Sequence, residues 1–387
     1  MKPNIFFLFL IQFIIGTMGY SQNPDNLKNL VNLDTLTKTI RELSGEDSVI
    51  VYNQKIKISE RKTNEGSNKA VNYIKQKFES FGFEAIVQNY RATGRNIYAI
   101  QNGENSDSAY IFCAHYDSVT EYCADDNASG TASVLEAARL LADSCFRYSI
   151  IYALWDEEEL GLIGSHAFAS ALSTNDLKIK GVLNFDMVAF DKDDDRNFEI
   201  HENNNKNTRS ISETLLKVTK DSELNLVGIV KNPGTGASDH ASFWDYNIGA
   251  VLVIEEYYGG DFNSFYHSPN DRIVKFNLPY FLDMVKLGVL TIAELAQSCN
   301  TASIENGIES DRIIVYPNPV IDKLNISLID CNPKQIVIFD LFGKPVFKNI
   351  FQNEIEIDMK DFVDGIYLIK LEYDNQSIIW KIIKVNY

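Results

Sequence analysis

Cysteine is scarce in this chain, with five residues among 387. No two of them form a Cys-x-x-Cys pair and none clusters with histidine, which argues against a disulfide-rich scaffold and a structural zinc site. An exported protein with this count could still carry one or two disulfide bridges. Buried free thiols are the simpler interpretation for most of the five, which are Cys113, Cys123, Cys145, Cys299 and Cys331.

Basic residues are in the minority, since 36 Lys and Arg face 53 Asp and Glu and the formal net charge is -17. Nucleic acids and anionic membranes are bound through clustered cations, so neither is an expected partner. Long apolar runs are lacking after the first residues, and we expect no membrane span. Residues 1–21 combine Lys2, an apolar core and small residues at Gly19 and Ser21, which predicts a signal peptide.

Apolar runs alternate with amphipathic stretches of helical length from residue 109 onward. Continuously apolar runs predict buried strands at residues 110–114, 150–154, 181–185 and 249–254. Helical periodicity covers residues 65–81, 130–142, 161–171, 210–219 and 278–297, and two further strands are predicted at 83–87 and 96–100. The order predicts an α/β fold, a three-layer sandwich with a largely parallel central sheet. This domain is assigned to residues 22–297, of which 22–60 are either a propeptide or an N-terminal extension.

The composition changes after residue 297. Residues 298–311 are polar and aperiodic, as linkers are. Short strands separated by Asn, Asp, Gly and Pro then predict a small all-β sandwich over residues 312–387. Its strands are expected at 313–316, 324–329, 335–339, 354–357, 366–372 and 378–385.

Acidic and imidazole side chains gather where the predicted strands end, which is the edge where parallel sheets carry their chemistry. His115 and Asp117 follow the first of these strands with a spacing that lets the carboxylate orient the imidazole. The adjacent Glu158 and Glu159 are unfavourable unless a cation or proton separates them. One of them can bind a metal while the other takes a proton from water.

A mixture of histidine and carboxylate donors favours zinc or a similar first-row metal over the hard cations. Two histidines and three carboxylates suffice for two ions if one carboxylate bridges them. Asp125 is the natural bridge, because Asp125-Asp126 opens a helix whose N-terminus favours negative charge.

Five segments together resemble the co-catalytic zinc exopeptidases that include bacterial leucyl and Streptomyces-type aminopeptidases. They are His-Tyr-Asp-Ser-Val from 115, Ala-Asp-Asp-Asn-Ala-Ser-Gly from 124, Glu-Glu-Leu-Gly-Leu-Ile-Gly-Ser from 158, Asn-Phe-Asp-Met from 184 and Tyr-His-Ser-Pro-Asn-Asp from 266. The resemblance covers residues 30–297. It implies two zinc ions held by His115, Asp125, Glu159, Asp186 and His267, with Asp125 bridging and with a cis peptide bond between Asp125 and Asp126.

The same resemblance implies catalytic roles for three other side chains. Glu158 becomes the general base, Asp117 orients His115, and Tyr266 donates a hydrogen bond to the oxyanion. Ser-Asp-His at residues 238–240 also resembles a family segment, with Asp239 and His240 lying behind the ligands. The implied reaction is hydrolysis of the N-terminal peptide bond of peptides or proteins.

The C-terminal region resembles the type IX secretion sorting domain. The similar segments are Val-Tyr-Pro-Asn-Pro from 315, Asp-Leu-Phe-Gly-Lys from 340, Gly-Ile-Tyr from 365 and Ile-Ile-Lys-Val from 382. The resemblance implies export through the periplasm to the cell surface or the medium, with the secretion machinery as partner.

Three other functions fit parts of this pattern. A glutaminyl cyclase has a similar fold and several of the same ligands, but it transfers an amine within its substrate. A carboxypeptidase relative would need a basic pocket for the substrate carboxylate, which the motifs do not locate. A non-catalytic binding protein on this scaffold would be expected to lack ligands, and none of the motif positions is missing here.

Overall fold

The computed structural model describes residues 24–172, 177–205, 207–299, 313–328, 333–340, 343–373 and 376–385. The predicted signal peptide and most of the predicted linker lie outside these residues, as does Cys331. The chain divides into two compact units, Met1–Cys299 and Asn300–Tyr387. Among the described residues, no helix combines the length and the apolar character that crossing a bilayer requires.

Eight helices and ten strands of the first unit lie within the described residues. The helices are α1 Pro24–Leu30, α2 Leu33–Leu43, α3 Asn64–Ser80, α4 Gly130–Leu141, α5 Ile163–Leu172, α6 Thr208–Asp221, α7 His240–Trp244 and α8 Leu278–Ala296. The strands are β1 Val49–Val51, β2 Gln54–Ile56, β3 Ile86–Asn89, β4 Arg95–Gln101, β5 Asn105–His115, β6 Tyr148–Trp155, β7 Lys178–Phe185, β8 Asn197–His201, β9 Val227–Lys231 and β10 Ala250–Ile254.

The central sheet has eight strands in the order β3-β4-β6-β5-β7-β10-β8-β9. Its middle is parallel, because β6, β5, β7 and β10 run in one direction. The antiparallel pairings lie on either side, between β3 and β4, β4 and β6, and β10 and β8. The fold class predicted from the sequence is therefore confirmed, as a mixed sheet with a parallel centre.

Alternate side chains of the central strands enter two apolar cores, one on each face of the sheet. On β5, Phe112 packs with residues of α2, α3, α4 and α8, whereas Ile111 and Cys113 pack with residues of α5 and α7. The period of two along a strand thus produces the three layers. Because both faces are covered, the polar ends of these strands are left at one edge of the sheet.

The N-terminal segment is built into the first core. Leu36, Ile40 and Leu43 of α2 are at most 1% exposed and belong to the same apolar cluster as the sheet. Arg61 is also 1% exposed and donates hydrogen bonds to the carbonyl oxygens of Leu43 and Tyr116, which fastens this segment beside the strand that ends in His115. The N-terminal segment is thus packed against the catalytic fold, whether it is a propeptide or an N-terminal extension.

The strands β8 and β9 were not anticipated from the sequence. In β8, Glu199 and His201 are fully buried, so the strand lacks the apolar run that marks its neighbours. The imidazole and the carboxylate satisfy each other at 2.8 Å between Nε2 and Oε2. Because a buried polar pair of this kind interrupts the apolar run, hydrophobic patterning does not predict the strand.

The sequence left both disulfide bridges and buried free thiols open, and the structure contains both. Cys145 and Cys299 form a disulfide bridge. Cys113 and Cys123 are buried free thiols.

The second unit contains two antiparallel sheets, β11-β12-β15 and β14-β13-β16-β17. The strands are β11 Ile313–Tyr316, β12 Lys323–Leu328, β13 Pro333–Phe339, β14 Pro345–Asn349, β15 Glu354–Asp358, β16 Gly365–Tyr373 and β17 Gln376–Lys384. Buried side chains from both sheets, among them Leu324, Ile338 and Ile369, form one core. The predicted all-β architecture is therefore confirmed, with β14 as an additional strand.

Candidate metal centre

Five donor residues meet at the carboxyl edge of the parallel strands. His115 is the last residue of β5, and Asp186 directly follows β7. Glu159 lies in the loop after β6, and His267 lies between β10 and α8. Asp126 comes from an irregular turn, Ala124–Ser129, that precedes α4.

The distances divide these donors into two groups that share one carboxylate. Nε2 of His115 lies 3.3 Å from Oδ1 of Asp126 and 3.4 Å from Oδ1 of Asp186. Nε2 of His267 lies 3.3 Å from Oδ2 of Asp126 and 3.1 Å from Oε2 of Glu159. Each group offers three ligand atoms within 4.8 Å of one another. Asp126 thus presents one oxygen to each group, as a bridging carboxylate would.

The sequence assigned the bridge to Asp125, but in the structure Asp126 and not Asp125 faces both histidines. The carboxylate of Asp125 accepts hydrogen bonds from the N–H of Ala189 at 3.0 Å and from Nδ2 of Asn263 at 2.9 Å. Asp126 has non-helical dihedrals (φ -103°, ψ 91°), and these turn its side chain away from that of Asp125. The cis peptide bond is likewise one residue further on, between Asp126 and Asn127.

Asp117 connects the first histidine to the acidic loop. Its Oδ1 lies 3.2 Å from Nδ1 of His115, the nitrogen that points away from Asp126. The same carboxylate accepts the N–H groups of Glu158 and Glu159, each at 3.2 Å. Such an arrangement fixes the orientation of an imidazole and the path of the acidic loop together.

Burial and crowding perturb the acids of the cluster. Burial, together with the neighbouring carboxylate of Asp126, raises the pKa of Glu159 to about 8. Burial also raises the pKa of Glu158 well above its usual range, although the charge of His115 opposes the shift. Burial opposes ionisation of Asp126 too, but the adjacent imidazoles of His115 and His267 outweigh it and lower its pKa. Perturbations of this kind are typical of functional sites.

Several oxygen atoms of the cluster are buried without a hydrogen-bond donor. They are Oδ2 of Asp126, Oε1 of Glu159 and Oδ1 of Asp186. Buried carboxylate oxygens normally have donors, and a cation bound in each group would satisfy them. The mixed imidazole and carboxylate donors suit zinc.

Tyr266 lies beside the cluster. Its ring stacks on that of His267 with the centroids 3.6 Å apart, and it is 43% exposed. Burial of part of the side chain and the nearby carboxylate of Asp126 raise the pKa of its phenol, so Tyr266 is a neutral hydrogen-bond donor at ordinary pH.

Residues outside the predicted ligand set hold the ligands in place. Ser238 donates from Oγ to Oδ2 of Asp186 at 2.7 Å and accepts from Nδ2 of Asn184 at 2.8 Å. Asp271 accepts the N–H groups of both Asp125 and Asp126. Ser238 and Asp271 lie in motifs that the sequence contains, but their partners are distant in the chain, so only the fold reveals their roles.

Asp239 and His240 are fully buried. His240 turns its Nε2 toward the carbonyl oxygen of Thr235, at 2.8 Å, and burial lowers the pKa of its imidazole to about 3. Asp239 has two oxygen atoms without a hydrogen-bond donor. Burial, opposed by the charge of His115, raises the pKa of Asp239 to about 7.

Imidazole and carboxylate donors that meet at the carboxyl edge of such a sheet are typical of a metal-dependent peptidase. The chain belongs to peptidase family M28, whose model matches residues 96–290. The model of the secretion system C-terminal sorting domain matches residues 314–385. Both resemblances drawn from the sequence are thereby confirmed.

Two named proteins are similar to this chain in sequence. Leupeptin-inactivating enzyme 1 of Streptomyces exfoliatus is 30% identical over 240 residues, which are 55% of this chain and 51% of that protein. Aminopeptidase YwaD of Bacillus subtilis is 30% identical over 251 residues, 60% of this chain and 53% of that protein. The matched region therefore spans about half the length of these two relatives.

Solved structures share the fold. The aminopeptidase LapA of Legionella pneumophila superposes with a TM-score of 0.62 at 22% identity, over 71% of this chain and 75% of that one. The glutaminyl cyclase of Bacteroides thetaiotaomicron superposes with a TM-score of 0.54 at 17% identity, over 68% of this chain and 97% of that one. Since the two neighbours differ in reaction, the fold alone does not select between them.

Proposed function

We propose that this protein is a secreted zinc aminopeptidase that removes residues from the N-termini of peptides or proteins. The observation that carries the proposal is the pair of three-donor groups that share Asp126. Membership of family M28 and the named aminopeptidases among the relatives support it.

We assign one zinc ion to His115, Asp126 and Asp186, and the other to Asp126, Glu159 and His267. The two ions supply Lewis acidity toward water and toward the scissile carbonyl group. Asp126 would be shared, which accounts for the approach of its two oxygen atoms to different histidines.

Glu158 is assigned as the general base. It lies in one cluster with His115 and Glu159, and its carboxylate belongs to neither of the groups that share Asp126. In this role it accepts the proton of the attacking water and later delivers it to the amine that leaves. Asp117 holds His115 in orientation, and Tyr266 donates its phenolic hydrogen to the oxyanion of the substrate.

A substrate and metal assay tests this function directly. Purified protein should contain about two zinc ions per chain, because two complete donor groups share one bridge. It should hydrolyse leucine p-nitroanilide and leave the N-acetylated analogue intact. Pyroglutamate formation with a single tightly bound zinc would instead identify a glutaminyl cyclase. Release of C-terminal residues would identify a carboxypeptidase, and no turnover a binding protein.

We further propose that the second unit directs export by type IX secretion. All the assigned ligands belong to Met1–Cys299, so we expect the peptidase activity to be independent of the sorting unit. Deleting residues 312–387 should leave peptidase activity intact while the protein accumulates in the periplasm. Fractionation of the producing cells with an activity assay on each fraction checks this. Secretion of the truncated protein at the normal level would refute the sorting role.

A further inference from the structure

A cavity of about 560 Å³ opens beside the metal centre. Its wall includes Asp117 and Glu159, so the cavity is continuous with the residues that surround the scissile bond in the proposed function. The rest of the wall comes from the start of α3 and the residues before it, the loop between β3 and β4, and the loops after β5 and β6. A volume of this size accommodates one or two amino-acid residues.

Carboxylates on the floor of this cavity already have partners. Glu157 lies 2.5 Å from the guanidinium of Arg91 and accepts the hydroxyl hydrogen of Tyr90 at 2.8 Å. Asp156 is 3% exposed and accepts a hydrogen bond from Oγ of Ser67 at 3.2 Å. These acids are therefore poorly placed to bind a cationic part of a substrate.

Cations lie at the mouth of the cavity, where a substrate would reach them. We call Lys62 and Arg91, two exposed cations that line the cavity, the basic rim. Lys62 is exposed, and the described part of the chain places no carboxylate within 4.0 Å of its ammonium group. The side chain of Arg91 is 41% exposed and already pairs with Glu157, so the charge that a substrate meets comes mainly from Lys62.

Aromatic rings adjoin the centre at its other histidine. Tyr266 stacks on His267, and Phe262 lies 5.3 Å from Tyr266 and 5.4 Å from Tyr257 between ring centroids. None of these residues lines the cavity. The centre thus has an aromatic neighbourhood at His267 and, beyond Glu159, a cavity with the cations Lys62 and Arg91 in its wall.

This charge distribution gives a bound peptide a direction. The N-terminal ammonium of a substrate is attracted by the carboxylates of the centre and repelled by the basic rim. The residues after the scissile bond must then leave toward the cavity. We infer that the cavity receives these residues and that the basic rim selects a carboxylate there, from an acidic side chain or from the C-terminus of a short peptide. The inference rests on the proposed aminopeptidase function.

Three dipeptides separate the two sources of the carboxylate. Comparing Leu-Asp amide with Leu-Asn amide tests the acidic side chain, and comparing Leu-Asn with Leu-Asn amide tests the terminal carboxylate. For at least one pair, kcat/KM should favour the acid by about threefold to tenfold at low ionic strength, since exposed charges contribute modestly. The preference should shrink at high salt, because the rim is exposed to solvent.

Variants of Lys62 attribute this preference to the rim. Lys62→Gln should reduce the acid-to-amide ratio, and Lys62→Glu should reduce it by about threefold or more. Lys55→Glu is the matched control, since Lys55 is an exposed lysine of β2 that does not line the cavity. Its ratio should equal that of the unmodified protein. Thermal melting establishes that each variant is folded.

A ratio of one for both pairs in the unmodified protein would overturn the inference. So would an unchanged ratio in Lys62→Glu, or an equal change in Lys55→Glu. In each case continued hydrolysis of leucine p-nitroanilide would leave the aminopeptidase function standing. Failure to hydrolyse the anilide and all three dipeptides would overturn that function and the inference with it.

Discussion

Replacing Glu158 with glutamine should lower kcat by about a hundredfold to ten-thousandfold while KM changes little, because the general base is lost and the binding surface is kept. Glutamine has nearly the size of glutamate but cannot accept the proton of water. The zinc content should remain that of the unmodified protein, since the assigned ligands are intact. Steady-state kinetics together with metal analysis on one preparation measures both effects.

Glu159→Gln is the control for this experiment, because the two glutamates are adjacent and both lie in the loop held by Asp117. Loss of a ligand should reduce the zinc content along with the activity. If Glu158→Gln loses zinc and Glu159→Gln keeps it, the roles of the two glutamates are exchanged.

Asp126→Asn should remove most of the bound zinc and reduce kcat/KM by at least about a hundredfold, because one side chain serves both groups of donors. The neighbouring substitution Asp125→Asn should retain zinc. Its cost should appear in stability, since an amide group would face the donor Asn263 and leave a buried polar atom unsatisfied, at about 1–3 kcal/mol. Metal analysis and thermal melting of the pair separate the two effects.

The two variants also decide which of the two adjacent aspartates serves as the bridge. Loss of zinc in Asp125→Asn, with zinc retained in Asp126→Asn, would return the bridge to the position that the sequence suggested. Equal loss of zinc in both variants would mean that the turn tolerates neither change. The circular dichroism spectra would then show whether the variant proteins are unfolded.

Hydrophobic patterning predicted most of the central sheet because parallel strands buried on both faces are continuously apolar. The run at 150–154 lies within β6, and the run at 181–185 forms the end of β7. The same reasoning missed β8, where the fully buried Glu199 and His201 form a hydrogen bond with each other. It missed β9 because that edge strand is only partly buried.

Strand ends also located the candidate centre, since His115 and Asp186 follow apolar runs that share one sheet edge. Which of two adjacent aspartates faces His115 was not predictable. The answer depends on the dihedrals of a turn, and Asp271 fixes that turn from 145 residues further along the chain by accepting the N–H of Asp126. Motif spacing contains no information about such a distant contact.

The sequence by itself determined the class of fold, the chemical identity of the donors and the separate all-β unit, because periodicity and residue type are local properties of the chain. Tertiary structure alone decided that Asp126 and not Asp125 joins the two histidines, that Cys145 pairs with Cys299, and that Lys62 and Arg91 line one cavity. Each of these depends on segments far apart in sequence. Their distances and orientations are fixed only when the layers pack.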